Sequence, residues 1–300
     1  MSPPARLDDH TPVVLLIAGP ALIGLLVFVL VPFLFALLTA FTNLRLGSPL
    51  PLEFVGLKQF TRILSDPTFV RAMGNNFLFA LIIVPLQTAL ALGLALLLNQ
   101  GLRGTVIYRT LFFMPVVFPM SLVAVVWILI YAPGPNGMMN SLLDLLSFGQ
   151  WQPRDFLRDP ALALPAIMLL SIWQGTGFQM VILLAGLQAI PQELHEAAAL
   201  DGAGHWQRFL HVTLPQLRNP LTFVMLITTI LAFRLFDQVQ IMTRGGPDNA
   251  TTTVMYEMVE TVFTRQQVAR ASAMTVIFFL LVLGVTWLQR HLVRETREVE

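Results

Sequence analysis

Six stretches of the chain contain no Asp, Glu, Lys or Arg: residues 10–44, 72–102, 110–143, 160–192, 219–233 and 271–289. A helix rising about 1.5 Å per residue needs about 20 apolar residues to cross a hydrocarbon core of about 30 Å. Five of the six stretches meet or approach that length. The fifth in order, 219–233, reaches it only by continuing through Arg234 and Asp237 to about Met242. The runs are continuously apolar, whereas a membrane β-barrel would alternate with period two. The pattern therefore predicts an all-α integral membrane protein with six transmembrane helices, centred near residues 27, 87, 120, 174, 232 and 281.

Composition supports the same class. Only 12% of the 300 residues are charged and 56% are hydrophobic, against about 25% charged in soluble domains, so much of the surface must face lipid. A formal net charge of +1 with a single lysine, Lys58, speaks against a nucleic-acid binder, which needs concentrated positive charge. The absence of cysteine excludes disulfides and thiolate metal sites. The apolar run Val13 to Phe41 is far longer than the roughly 7–15 residues of a secretory signal core and reads as a retained span. With no low-complexity linker and no clear internal repeat, residues 1–300 read as one permeation-scale membrane domain with its spans at about 13–291.

Six spans place both termini on one side. With the termini inside, inner segments hold eight basic residues and outer segments nine. The short loop 99–109 carries Arg103 and Arg109 with no acid, and short loops dominate the positive-inside rule. The balance leans towards cytoplasmic termini. Segment 42–71 is expected to be an outside loop with a short amphipathic helix, because Phe54, Leu57, Phe60, Ile63 and Leu64 recur at helical spacing.

Motifs of enzymatic chemistry are missing. His195-Glu196 starts like a zinc-protease helix, but Ala197, Ala198 and Ala199 follow and the second histidine of H-E-x-x-H is absent. There is no G-x-S-x-G elbow and no Gly-Lys pair for a Walker A loop, so ATP cannot be hydrolysed here by that route. His10, His195, His205, His211 and His291 all fall in loops or tails and read as solvated side chains. Neither a metal nor a cofactor is expected.

The least apolar long segment between spans, residues 190–220, reads as a helix, a turn and a second helix. Pro191 suits a helix start, Glu193 the positive helix end, and Gly202 and Gly204 a helix stop. The second helix is expected to put Trp206, Phe209, Leu210 and Thr213 on one face and to stop at Pro215. Physically this is an interfacial linker lying on the membrane or a docking element, and the residues alone leave both open.

The text of the segment, EAAALDGAGHWQRFLHVTLPQLRNP, resembles the EAA loop of ABC-importer permeases, with matches at Glu196, Ala197, Ala198, Asp201, Gly202, Ala203, Leu214 and Pro215. The flanks WQGTGFQMVILLAGLQAIPQEL and AFRLFDQVQIMTRGGPDNATTT are similar to the carbohydrate-uptake branch, of maltose-permease and glycerol-phosphate-permease type. The resemblance covers roughly residues 10–290, with its specific motifs in 173–253. It implies a type I importer permease fold in the bacterial cytoplasmic membrane, with cytoplasmic termini. It also implies a dimeric cytoplasmic ATP-binding subunit docking on the loop, a second related permease, an external solute-binding protein and a carbohydrate solute. The subunit itself would be non-catalytic. Residues Glu196, Ala197, Ala198, Asp201, Gly202 and Ala203 would couple ATPase closure to alternating access: the small ones allow close approach and the two acids pair with basic groups on the partner.

Arg234 and Asp237 lie about 20 Å along the fifth span from Leu221 by helical rise. Charges at that depth face a cavity or a partner. Their i,i+3 spacing allows a mutual ion pair; alternatively they line the solute path near the outer half. Trp173 and Phe233 could stack on a sugar ring there, with Gln174 and Gly177 beside them, although aromatics in a span also serve packing. A sugar or oligosaccharide is the expected solute, and Arg234 leaves an anionic derivative or glycerol-phosphate ester as the alternative.

Overall fold

The computed structural model describes residues 11–101 and 104–292. Among them the chain is helical apart from loops and one isolated antiparallel bridge between Thr42 and Phe54. The helices are α1 (residues 11–39), α2 (Lys58–Leu64), α3 (Pro67–Leu98), α4 (Thr105–Val117), α5 (Met120–Ile130), α6 (Met138–Leu146) and α7 (Ala163–Gln188). They continue with α8 (Gln192–Leu200), α9 (residues 205–216), α10 (Arg218–Phe233), α11 (Asp237–Met242), α12 (residues 254–264) and α13 (Val268–Leu292). Five spans are long and apolar enough to cross a membrane, and the bent pair α4–α5 makes a sixth when taken as one crossing.

Two compact units divide the chain. The first comprises the N-terminal 65 residues and Met258–Phe279. Its α1 contains a wide turn at Leu26–Leu30, closed by Val31 N–H to the Leu26 carbonyl. Pro32 follows immediately, and such a turn relieves the clash a proline ring makes with the carbonyl four residues earlier. The end of α1 is tied to α13 by a Thr39 Oγ1 to Ser272 Oγ bond of 2.9 Å and by the Phe33–Phe279 ring pair at 5.0 Å. From Leu22 to Leu38 α1 is apolar and mostly exposed, as suits a helix whose neighbour is lipid. The amphipathic α2 buries Ile63 completely.

The second unit, Asp66–Glu257 with Leu280–Glu300, holds the remaining spans. Asp66 starts α3 by accepting the Thr68 N–H at 2.8 Å, with Pro67 in the first helical position, where its missing donor costs nothing. A core at one end of these spans is made by Ala91, Ala95 and Leu98 of α3 against Met180, Leu183 and Leu187 of α7, closed by Leu217 and Val224. Small residues let these backbones approach closely, which is how membrane helices gain packing without a hydrophobic driving force.

Two spans are not the continuous helices expected. The third is broken at Phe118–Pro119, with α4 and α5 bent by 99°. Proline pushes the residue before it out of the helical region, and Phe118 is extended at ψ 139°. The fifth stops at Phe233 and resumes at Asp237. In the 190–220 segment Pro215 does not end the second helix: a wide turn at Phe209–Thr213 shifts the hydrogen-bond register ahead of it, and α9 runs on to Gln216.

Gly177 marks a close approach of α7 to α4. A Cβ there would meet the Phe112 carbonyl oxygen, and the obstacle is backbone that cannot swing aside. Gly177→Ala is expected to destabilise the second unit by about 1–3 kcal/mol, read as a lower thermal unfolding midpoint of the purified protein in detergent.

Candidate functional site

A cavity of about 470 Å³ opens among α3, α7, α10 and the break after α10. Its walls are apolar at Phe79, Ile83 and Leu231, and polar at four glutamines: Gln87 from α3, Gln174 and Gln179 from α7, and Gln238 from α11. Arg234 and Asp237 stand at its edge and are exposed.

The chemistry of the neighbours settles which way each carboxamide points. Gln87 Nε2 donates to the Ser171 carbonyl at 3.4 Å and Gln174 Nε2 to the Phe118 carbonyl at 3.2 Å; a carbonyl can only accept. Gln179 Nε2 donates to Thr228 Oγ1 at 2.7 Å, whose own proton goes to the Val224 carbonyl at 2.7 Å. Gln238 Nε2 donates to Ser171 Oγ at 3.3 Å, whose proton goes to the Ile167 carbonyl at 2.8 Å. In every case the NH2 group is turned into the protein. Gly175 makes room for this arrangement, since a Cβ on it would meet Gln87 Nε2.

The break after α10 follows from helix-end electrostatics. Arg234 caps the C-terminal end of α10 and Asp237 opens α11; each charge sits at the end of a helix whose dipole favours it. The i,i+3 pair that a continuous helix would allow does not form: no ion pair joins the two within 4.0 Å among the described residues. The carbonyls freed at the break find side-chain donors. Asn76, fully buried, sends Nδ2 to the Phe233 carbonyl at 3.2 Å and the Ala232 carbonyl at 3.5 Å, while its Oδ1 accepts the Val254 N–H at 2.8 Å. Thr253 Oγ1 takes the Leu235 carbonyl at 2.7 Å. Asn75 Nδ2 holds the following turn through the Thr252 and Asn249 carbonyls at 2.8 and 3.0 Å. This meets the demand that backbone interrupted at membrane depth be satisfied from within the protein.

Of the residues singled out from sequence around the fifth span, Gln174, Arg234 and Asp237 come together at this cavity. Trp173 lies 47% exposed beside Trp127, ring centres 5.7 Å apart. Phe233 is buried edge-on against Phe77 at 5.4 Å, and Gly177 faces α4. Gln87, Gln179, Gln238 and the pair Asn75–Asn76 did not stand out in the sequence analysis. For all but Gln238, which follows Arg234 and Asp237, their signal was present as uncharged polar side chains inside charge-free stretches, where a hydrogen-bond partner is mandatory.

The segment 190–220 forms a second feature, built as a hairpin of α8 and α9. α8 ends in a Schellman closure: Ala203 N–H bonds the Ala198 carbonyl at 2.9 Å and Gly202 N–H the Ala199 carbonyl at 3.1 Å. Gly202 sits at φ +81°, a conformation that glycine adopts without penalty. Gln207 Oε1 then accepts the Gly204 N–H at 2.8 Å and starts α9. Glu196, Ala197, Asp201 and Gly202 are exposed, and Ala198 and Ala203 are half-buried. Apolar side chains on the hairpin also stand clear of the protein, with Leu200 89% and Trp206 71% exposed.

With this architecture described, residues 87–298 match the family model of the binding-protein-dependent transport system inner membrane component. The chain belongs to this family. It is a multi-pass membrane permease subunit, and the α8–α9 hairpin and all of the cavity lining except Phe79 and Ile83 fall inside the matched region. A probable ABC transporter permease of Pyrococcus horikoshii is 32% identical, over 93% of this chain and 95% of that protein. The diacetylchitobiose uptake system permease of Streptomyces coelicolor is 33% identical, over 90% of this chain and 78% of that protein. Among solved structures, a bacterial ABC transporter that imports the acidic polysaccharide alginate superposes with a TM-score of 0.80, covering 98% of this chain and 99% of that one at 21% identity. That likeness shows the fold: an ABC importer permease.

Proposed function

We propose that this permease subunit carries a sugar or oligosaccharide through the bacterial inner membrane, driven by ATP hydrolysed on a separate subunit docked at the α8–α9 hairpin. The observation that carries the docking reading is the hairpin itself. It is rigidly closed at Gly202, small along Ala197, Ala198 and Ala203, and leaves Leu200 and Trp206 uncovered on a segment between two spans. Exposed apolar side chains of that size on a defined helix end call for a partner. Glu196 and Asp201 supply the charge that orients it, and Glu196 is held by Gln192 Nε2 at 2.8 Å.

Carbohydrate is favoured by the relatives, whose names include diacetylchitobiose uptake and trehalose/maltose transport. The family is binding-protein-dependent, and one structural neighbour was solved with a pentasaccharide-bound periplasmic protein. Delivery by an external binding protein and pairing with a second permease complete the proposed machine. The chain acts in it as one permease domain with cytoplasmic termini, and Gln174, Arg234 and Asp237 line the solute path. A glycerol-phosphate ester is the alternative solute, since a relative is named for sn-glycerol-3-phosphate transport.

The test uses the natural absence of cysteine. Ala197→Cys, labelled with a bulky maleimide before assembly, is expected to block co-purification with the ATP-binding subunit, whereas Leu81→Cys on an exposed face of α3 is not. Equal co-purification of both labelled variants would rule out docking at the hairpin.

A further inference from the structure

The geometry points to a lipid-binding surface outside the spans: the uncovered apolar face of α6, with Phe148 at its end, seats on the membrane surface at the side away from the α8–α9 hairpin. This goes beyond the transport reading and does not depend on it.

α7 has 26 residues and is about 39 Å long by helical rise, enough to cross a hydrocarbon core of about 30 Å. The hairpin follows its C-terminal end, so its start at Ala163 lies at the opposite surface. α5 runs back along these first turns: Trp127 packs on Trp173 at 5.7 Å, and Tyr131 Oη donates to the Ala166 carbonyl at 2.9 Å. From there a chain of rings leaves the span, Tyr131 to Phe156 at 5.4 Å and Phe156 to Trp151 at 6.3 Å. Trp and Tyr concentrate where hydrocarbon meets headgroups, so these rings mark that level.

Asn140 ties α6 to the same level. It is 1% exposed, accepts from Trp151 Nε1 at 2.9 Å and from the Arg154 N–H at 3.0 Å, and donates to the Arg154 and Ala132 carbonyls at 2.9 and 3.5 Å. Both lone pairs and both amide hydrogens are used, so α6 cannot roll without losing bonds on every side of the carboxamide. That fixes what the far side presents. Met138, Leu142, Leu145 and Leu146 recur at helical spacing opposite Asn140, and all four are exposed. Phe148 continues the patch at φ +56°. It takes the position after a helix end where glycine is usual: Gly149 N–H closes on the Asp144 carbonyl at 2.9 Å and Phe148 N–H on the Leu145 carbonyl at 3.3 Å. A bulky residue in the left-handed region is strained, and a ring 92% exposed returns no packing to the protein. Strain of this kind clusters where a ligand or partner is met.

The chemistry of the patch favours lipid over a protein. One methionine, three leucines and a phenyl ring make no demand for hydrogen bonds, whereas a protein interface carries about one hydrogen bond per 100–200 Å². An apolar face backed by Ser141 and Asp144 is the pattern of a helix lying in the plane of the membrane interface. The nearby basic groups are offset by acids, Arg154 by Asp159 at 3.7 Å and Arg158 by Asp155 at 3.9 Å. Attachment is therefore apolar and indifferent to headgroup charge.

The natural absence of cysteine allows the test. Leu142→Cys, Leu145→Cys, Phe148→Cys and, on the polar side of the helix, Asp144→Cys are each labelled with bimane in the complete transporter. All four positions are exposed, so the substitutions leave the packing intact. The labelled transporters are reconstituted in phosphatidylcholine vesicles with and without doxyl-labelled lipid. Doxyl quenching at the first three positions is expected to exceed that at Asp144→Cys at least about twofold. It is expected to stay the same when phosphatidylglycerol is included and when the external binding protein is added. Equal quenching at all four positions overturns the inference, as does quenching that requires phosphatidylglycerol. A label shielded from aqueous iodide yet untouched by doxyl lipid also overturns it and assigns the face to a protein, and quenching lost on adding the binding protein does the same.

Discussion

Replacing Asn76 by leucine is expected to cost about 3–5 kcal/mol and to abolish transport, although the substitution makes the chain more apolar. The asparagine side chain is fully enclosed and makes three bonds that link separate parts of the second unit: to the Phe233 and Ala232 carbonyls at the end of α10 and from the Val254 N–H at the start of α12. Leucine has the same branching and heavy-atom count and removes every one of these bonds. The Phe233 carbonyl and the Val254 amide would then be buried with no water to replace the loss, and each such group costs about 1–3 kcal/mol. The geometry that places Arg234 and Asp237 at the cavity edge depends on the same bonds, because the helix can break at Phe233 only if its freed carbonyls find donors. The measurement is a thermal unfolding midpoint in detergent for Asn76→Leu beside Leu78→Ala. Leu78 is exposed on the same helix, and its truncation is expected to shift the midpoint little. Equal midpoints for the two variants would show that the break is held by something else.

The second large effect is expected at Gly202. Gly202→Val puts a β-branched residue at φ +81°, a conformation that costs about 1–3 kcal/mol for residues with a Cβ. No neighbouring atom lies within 4 Å of the added Cβ, so the penalty comes from the backbone and not from crowding. The chain can relieve it only by opening the Schellman closure between Ala198 and Ala203, which turns α8 relative to α9. The spans are untouched, so protein yield and thermal midpoint are expected to stay near wild type. ATP-driven uptake is expected to fall at least about tenfold, because a docking helix displaced at its end no longer carries the partner's movement. Gly202→Asn is the matching control, since asparagine tolerates the left-handed region, and it is expected to recover most of the uptake. Comparable loss in both variants would point to a direct contact at this position and away from backbone geometry.

The helical membrane class was legible in the sequence because charge-free runs of span length admit few other structures. The α8–α9 hairpin was legible too: Pro191, Glu193, Gly202 and Gly204 are local signals, and local signals survive into structure when no tertiary contact opposes them. The interruptions were not. Residues 110–143 contain Pro115 and Pro119, yet Pro115 sits inside α4 and only Pro119 bends the span; which proline wins depends on the neighbours that take up its carbonyl. In the same way the i,i+3 spacing of Arg234 and Asp237 suggested a pair on one helix, while a distant partner, Asn76 bonding to Ala232 and Phe233 across 156 and 157 positions, made two helix ends available instead. The cavity glutamines escaped notice for a related reason. A glutamine in a span announces that it needs a partner, but which of its two ends is satisfied by protein is a property of the packed structure alone.

The decisive measurement is solute uptake by proteoliposomes that contain the complete transporter or lack only the ATP-binding subunit, with ATP supplied on the side that bears the α8–α9 hairpin. Uptake by the complete transporter, its loss when the ATP-binding subunit is omitted, and its loss in Gly202→Val are expected together if the hairpin conducts the movement of a separate ATPase into the spans. Undiminished uptake by vesicles that lack the ATP-binding subunit would contradict that role outright.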